Sequence, residues 1–248
     1  MKVTGKLRFG DRVVKLYGIA TSDFIYDMQY EMIVGGDVIK PIGTCRLIDT
    51  TTGDYYDLSI EISSIDYETY KVNYTTSIIS EKDIKVDKIT LLNSEGKEYF
   101  SFTPTQTYEV HLGDQIDLSL EVNIGTSGPY ANGKLREGIL RAITNQRDFT
   151  VGEVSYHANI HVNRIEILDN NLNTLLSFSL GDVNVETIPS GVQYWKTGIT
   201  FSETATVNYI SLYSDWMGEI VRLLLISFPA TVVYPNKEYN FLSRVRFV

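Results

Sequence analysis

The feature that most constrains this chain is a period of two in its apolar residues, recurring from one end to the other. Ile116, Leu118, Leu120, Val122 and Ile124 alternate with Asp117, Ser119, Glu121 and Asn123. On a strand this spacing puts five apolar side chains on one face, whereas a helix would scatter them round its cylinder. Leu58, Ile60 and Ile62 alternate in the same way with Ser59, Glu61 and Ser63, and the rhythm returns in 161–168 and 243–248. Turn chemistry bounds these runs at Thr52-Gly53-Asp54, Ser94-Glu95-Gly96, Gly113-Asp114, Asp169-Asn170-Asn171 and Pro235-Asn236. The pattern predicts an all-β protein, an antiparallel sandwich or barrel. Only Gly133 to Ile143 invites a helix, and Gly138 in its middle works against one by about 1 kcal/mol.

The apolar spacing also repeats at long range. An offset of 121 lays Thr76, Ile78, Val86, Ile89 and Leu91 over Thr197, Ile199, Val207, Ile210 and Leu212. Arg46 to Asp49 lies over Glu166 to Asp169 at 120, and His111 to Leu118 over Tyr234 to Phe241 at 123. Gly5-Lys6-Leu7-Arg8 recurs as Gly133-Lys134-Leu135-Arg136 at 128. Collinear blocks of this kind predict an internal duplication, with one sandwich over 1–124 and a second over 134–248. The stretch richest in Gly, Ser, Pro and Asn, 125–133, reads as the linker.

Composition narrows the function classes. Of 248 residues 43% are hydrophobic and 21% charged, which supports a buried core and argues against disorder. Lys and Arg number 22 against 31 Asp and Glu, a net charge of −9, and the bases do not cluster, so nucleic acid is not an expected partner. A single cysteine, Cys45, cannot form an internal disulfide and reads as a buried structural thiol of a protein made in reducing cytosol. The first residues lack the apolar core of a signal peptide. The run from Ile220 to Tyr234 is shorter than the ~20 residues needed to span a bilayer. Arg222 and Pro229 interrupt it, so it reads as a strand pair or a strand and its loop, with no membrane insertion.

Residues that carry chemistry are sparse. His157 and His161 stand four apart, which on a strand separates them by ~13 Å, too far for one metal. They and His111 read as structural or surface residues. Asp49, Asp54, Asp57 and Glu61 could supply a glycosidase pair but read first as wet strand and turn positions. The clusters at 49–54 and 169–173 lack the ligand series of a helical calcium loop. The chain is therefore expected to be non-enzymatic, with no catalytic residues, metal or cofactor. Tyr194, Trp195, Tyr213 and Trp216 stand near turn residues and are the candidate contacts to a protein partner or a glycan, because exposed Tyr and Trp stack on sugars and anchor interfaces.

Two stretches carry a resemblance. Val86 to Leu92 followed by Gly113 to Val122, and Val207 to Ser214 followed by Asn236 to Phe247, each read as a turn and then a polar-alternating closing strand. In this the chain resembles jelly-roll virion structural proteins of bacterial and archaeal viruses, of capsid, turret, decoration or tail-fibre type. The resemblance implies a virion protein synthesised in the host cytoplasm that associates with itself and with other virion proteins. A carbohydrate-binding sandwich meeting a host-surface glycan through Trp195 and Trp216 is the alternative.

Overall fold

The computed structural model describes residues 2–9, 12–124, 133–189 and 191–247. The fold is all-β, and every strand pairing is antiparallel. Two helices interrupt it among the described residues. The chain divides into two compact units. The first comprises Met1–Ile25, Ile39–Thr126 and Leu140–Gln146; the second, Tyr26–Val38, Ser127–Ile139 and Arg147–Val248. Neither unit is one uninterrupted stretch, and the division runs through both helices. Of the expected linker, 125–132 lies outside the described residues, and Gly133 opens a helix.

The first unit begins with a hairpin, β1 (Lys2–Phe9) and β2 (Arg12–Ala20), which leads into helix α1 (Ser22–Val34). Then follow β3 (Ile42–Ile48), β4 (Tyr55–Ser59), β5 (Glu61–Asp66), β6 (Lys71–Ile79) and β7 (Ile84–Val86). The unit continues with β8 (Lys88–Asn93), β9 (Glu98–Phe102), β10 (Tyr108–Val110) and β11 (Gln115–Asn123). Nine of these form one sheet in the order β4-β3-β8-β9-β2-β1-β11-β6-β5, while β7 and β10 pair separately. The alternation of β11 does what its sequence requires: Ile116, Leu118, Leu120, Val122 and the following Ile124 are all buried. Residues 56–63, by contrast, are two strands. Leu58 belongs to β4 beside β3, and Ile62 to β5 beside β6, so the chain changes partner at Ile60. Leu58 and Ile60 are buried, but Ile62 is 37% exposed, so the dry face expected there ends at the change.

The second part of the chain opens with helix α2 (Gly133–Ile143) and the hairpin β12 (Asp148–Val151) and β13 (Val154–His157). Gly138 stands where an added Cβ would come within 2.8 Å of Ile160, so its cost to the helix is offset by close approach. Next come β14 (Arg164–Asp169), β15 (Thr174–Ser179), β16 (Asn184–Ile188) and β17 (Gly191–Ile199). The last three strands are β18 (Ala205–Trp216), β19 (Glu219–Val233) and β20 (Tyr239–Arg246). They form a four-stranded sheet, β15-β14-β18-β19, and a three-stranded sheet, β16-β17-β20. The apolar run ending at Tyr234 is thus mostly one strand, with Pro229 inside β19 at the sheet edge, where a missing amide is tolerated.

The two units share a strand register. Leu47 pairs with Ile89 in the first and Ile167 with Ile210 in the second. Arg46–Asp57 has its counterpart in Glu166–Ser177, and Ile89–Phe102 in Ile210–Ile226. In the other half, Ile78–Ile116 corresponds to Ile199–Tyr239 and Tyr74–Leu120 to Tyr194–Ser243. Even the small sheet recurs: Val86–Tyr108 and Ile84–Val110 correspond to Val207–Thr231 and Ala205–Val233. The repeated Gly-Lys-Leu-Arg is different. Its first copy lies in β1 and its second in α2, so four residues shared by a strand and a helix mark no equivalent position; neighbours decide their conformation.

Candidate functional site

The four aromatic candidates do not form an exposed platform. Tyr194 is fully buried, Trp216 is 1% exposed and Tyr213 8% exposed. Trp216 is a pillar of the second unit: its indole N–H donates to the Asn159 carbonyl at 2.8 Å, and Phe149 meets its ring edge-on at 6.0 Å. Tyr213 is held between cations, with Arg164 4.7 Å and Arg222 5.5 Å from its ring centre. Tyr194 points into the core, where burial pushes its hydroxyl pKa up and no hydrogen-bond partner meets it among the described residues. Trp195 alone is half-buried, opposite Leu242 on β20. The expectation of exposure fails because alternation on β17 buries Tyr194 beside the half-buried Trp195, while β18 is buried on both faces from Ile210 to Ser214. Nearby turn residues do not lift a ring out of either strand.

The acidic candidates are occupied in building turns and pairs. Asp57 makes a bidentate pair with Arg46 at 2.7 and 2.8 Å. Asp49 accepts from the amides of Thr51 and Thr52, and Asp169, at the matching turn, from those of Asn171 and Asn173. These are the carboxylate-pinned turns expected of Asp before Gly and Asn. An open groove of about 450 Å³ lies beside the first turn. Its carboxylates are engaged too, Asp83 accepting from the Leu112 amide and Glu109 facing Lys85.

The concentration of interacting charge that sequence reading missed is in the second unit. Glu31, on α1, is fully buried and takes two hydrogen bonds from Arg147 at 2.7 and 2.8 Å. Arg147 Nε lies 3.6 Å from Asp37, whose carboxylate is 2.9 Å from His157 Nε2. His157 Nδ1 lies 2.7 Å from Asp148, its partner across the β12–β13 hairpin. Burial alone would lower the His157 pKa, but the hydrogen bonds and charges of Asp148 and Asp37 outweigh it and raise it. Pairs 116 and 120 residues apart leave no trace in local spacing, whereas His157 and Asp148, nine apart, follow from a hairpin. β13 ends at His157, so His161 does not continue it, and no cluster of three His, Cys, Asp or Glu suited to a metal occurs among the described residues. The network ties a helix to a hairpin.

The second unit also holds an apolar cleft of about 290 Å³ between its two sheets. Ile167, Val207 and Ile226 line it from one sheet, Ile199, Tyr239 and Phe241 from the other. Comparison with protein-family models, curated proteins and solved structures finds no match to this chain. No described helix is long and apolar enough to cross a membrane.

Proposed function

We propose that this protein is a non-enzymatic structural subunit that works by assembling, with itself and with other proteins of a virion, through its β-surfaces. The observation that supports this reading is the repeated register of the two units, Leu47–Ile89 and Tyr74–Leu120 in one, Ile167–Ile210 and Tyr194–Ser243 in the other. A duplicated sheet module accounts for both the registers and the sequence offsets. It gives one chain two related outer surfaces, which suits a subunit that meets several neighbours in closed symmetry. The wet strand positions carry Asp, Glu, Ser and Asn, which keep free edges from pairing at random until a specific neighbour arrives.

Sedimentation of the full chain over a range of concentrations tests the proposal. Discrete closed multimers are the expected result. A chain that stays monomeric at high concentration, with and without virion proteins encoded beside it, overturns the assembly role. The glycan alternative has lost its platform, since Trp216 is a core residue and Trp195 is only half-accessible.

A further inference from the structure

The shared register shows where the units differ. In the first, the hairpin β1–β2 fills the seam between the two halves of the sheet. β2 pairs with β9 through Gly18–Phe102, Ile19–Ser101 and Ala20–Phe100, and β1 pairs with β11 from Lys2–Asn123 to Phe9–Ile116. β2 also buries Leu16. The positions in the second unit that correspond to Phe100–Phe102 and Ile116–Asn123 are Leu224–Ile226 on β19 and Tyr239–Arg246 on β20. Both β19 and β20 end their sheets, with no strand beyond them among the described residues. The apolar cleft opens at this seam, lined from β19 by Ile226 and Phe228 and from β20 by Tyr239 and Phe241.

We infer that this seam is a strand-acceptor site: an extended segment of a partner adds to the free edge of β20 and sends alternate apolar side chains into the cleft. Unpaired edges supply the main-chain hydrogen bonds and the cleft supplies side-chain selection, as in strand addition generally.

Charge fixes the chemistry of the partner. In the first unit β11 carries Asp117, which stands opposite Arg8 of β1, and Glu121, which pairs with Lys71 of β6 at 3.2 Å. The corresponding residues of β20 are Asn240 and Arg244, followed by Arg246 where β11 has Asn123. Arg244 and Arg246 are exposed on the outward positions of β20. The acid–base order is therefore inverted. The chain's own basic β1 does not suit this edge, and the segment that does alternates apolar residues with Asp or Glu.

The test uses the full chain and two synthetic peptides matched to the eight residues of β20, one alternating valine with glutamate, the other valine with lysine. The glutamate peptide should bind and slow amide exchange in Tyr239–Arg246. R244E/R246E, two exposed changes that restore the acidic character of β11, should shift the ratio of the two affinities toward the lysine peptide by about tenfold or more. Binding of neither peptide, protection at other edges instead, or a ratio unmoved by the double variant overturns the inference. The assembly reading fails separately. Multimers that form while the glutamate peptide leaves β20 unprotected count against the seam alone, and a monomer that captures the glutamate peptide counts for it.

Discussion

Arg147 grips Glu31 through two parallel hydrogen bonds, Nη1 to Oε1 at 2.7 Å and Nη2 to Oε2 at 2.8 Å, around a carboxylate with no exposure to solvent. Nη1 also donates to the Ala158 carbonyl at 3.1 Å. A buried pair of this kind contributes little net stability, because desolvation offsets most of the attraction, but losing one member strands a charge. Arg147→Met should lower unfolding free energy by about 3–5 kcal/mol. Glu31→Leu combined with Arg147→Met should recover most of that loss. Urea unfolding of the three chains measures both effects, and a double variant no better than the single one would contradict the account.

His157 makes the stability of the second unit depend on pH. Its folded pKa is raised above the ordinary 6.5, since hydrogen bonds and charge from Asp148 and Asp37 outweigh the opposing effect of burial. The folded state therefore holds the proton more tightly than the unfolded chain. This stabilisation is fully present below about pH 6.5 and is lost as pH rises through the folded pKa. His157→Gln should remove that component, so the unfolding midpoints of wild type and variant should differ below about pH 6.5 and converge as the pH rises above it. A difference that stays constant as the pH rises from below about 6.5 to well above it would show that the imidazolium is not the source.

The equivalent tyrosines give a matched comparison. Tyr74 donates its hydroxyl to the Ile143 carbonyl at 3.0 Å, whereas the buried Tyr194 hydroxyl meets no partner among the described residues. Tyr74→Phe should cost about 1 kcal/mol, and Tyr194→Phe should be neutral or stabilising. Thermal unfolding of both variants tests the asymmetry, and equal losses would refute it.

Gly191 on β17 has no room for a side chain: a Cβ there would lie 2.1 Å from the Val245 carbonyl oxygen on β20. Because the clash is with backbone, rotamer change cannot relieve it. Gly191→Ala should destabilise by about 2 kcal/mol or more and loosen the β17–β20 ladder. Faster amide exchange across Val192 to Lys196 is the expected signature.

Cys45 is fully buried, and burial with the nearby Asp57 charge pushes its thiol pKa well up. The native protein should resist maleimide and react only after unfolding, so labelling rate reports global opening. Rapid labelling of the folded chain would place Cys45 elsewhere.

Much of the fold is legible in the sequence because a half-buried strand writes its two faces into alternate residues, as β11 and β20 do. Helix α1 escaped this reading. Phe24, Met28 and Met32 are buried at helical spacing, but buried Asp27, Gln29 and Glu31 fill out the inward side, while Tyr26 and Tyr30 stack outside at 6.2 Å. Polar inside and aromatic outside cancel the amphipathic signal. Alternation also cannot say which edge a strand joins, which is why β4 and β5 read as one. Of the charged network only the hairpin pair His157–Asp148 was within reach; Glu31, Asp37 and Arg147 meet by tertiary folding alone.

The hairpin that closes the first seam has a consequence for how the chain is born. β1 and β2 can pair as soon as both have left the ribosome, within microseconds. The other edge of β1 must wait for β11, since Lys2 pairs with Asn123. At about 5–20 residues per second, synthesis takes roughly 5–20 s to run from the end of β2 at Ala20 to Asn123. Throughout that time the nascent hairpin carries an unsatisfied edge past everything in its surroundings, whereas β18 finds β14 already made on one side and β19 following at once on the other. The edge of β1 thus stays open until β11 is made, and that interval of mispairing risk comes before β12 to β20 exist.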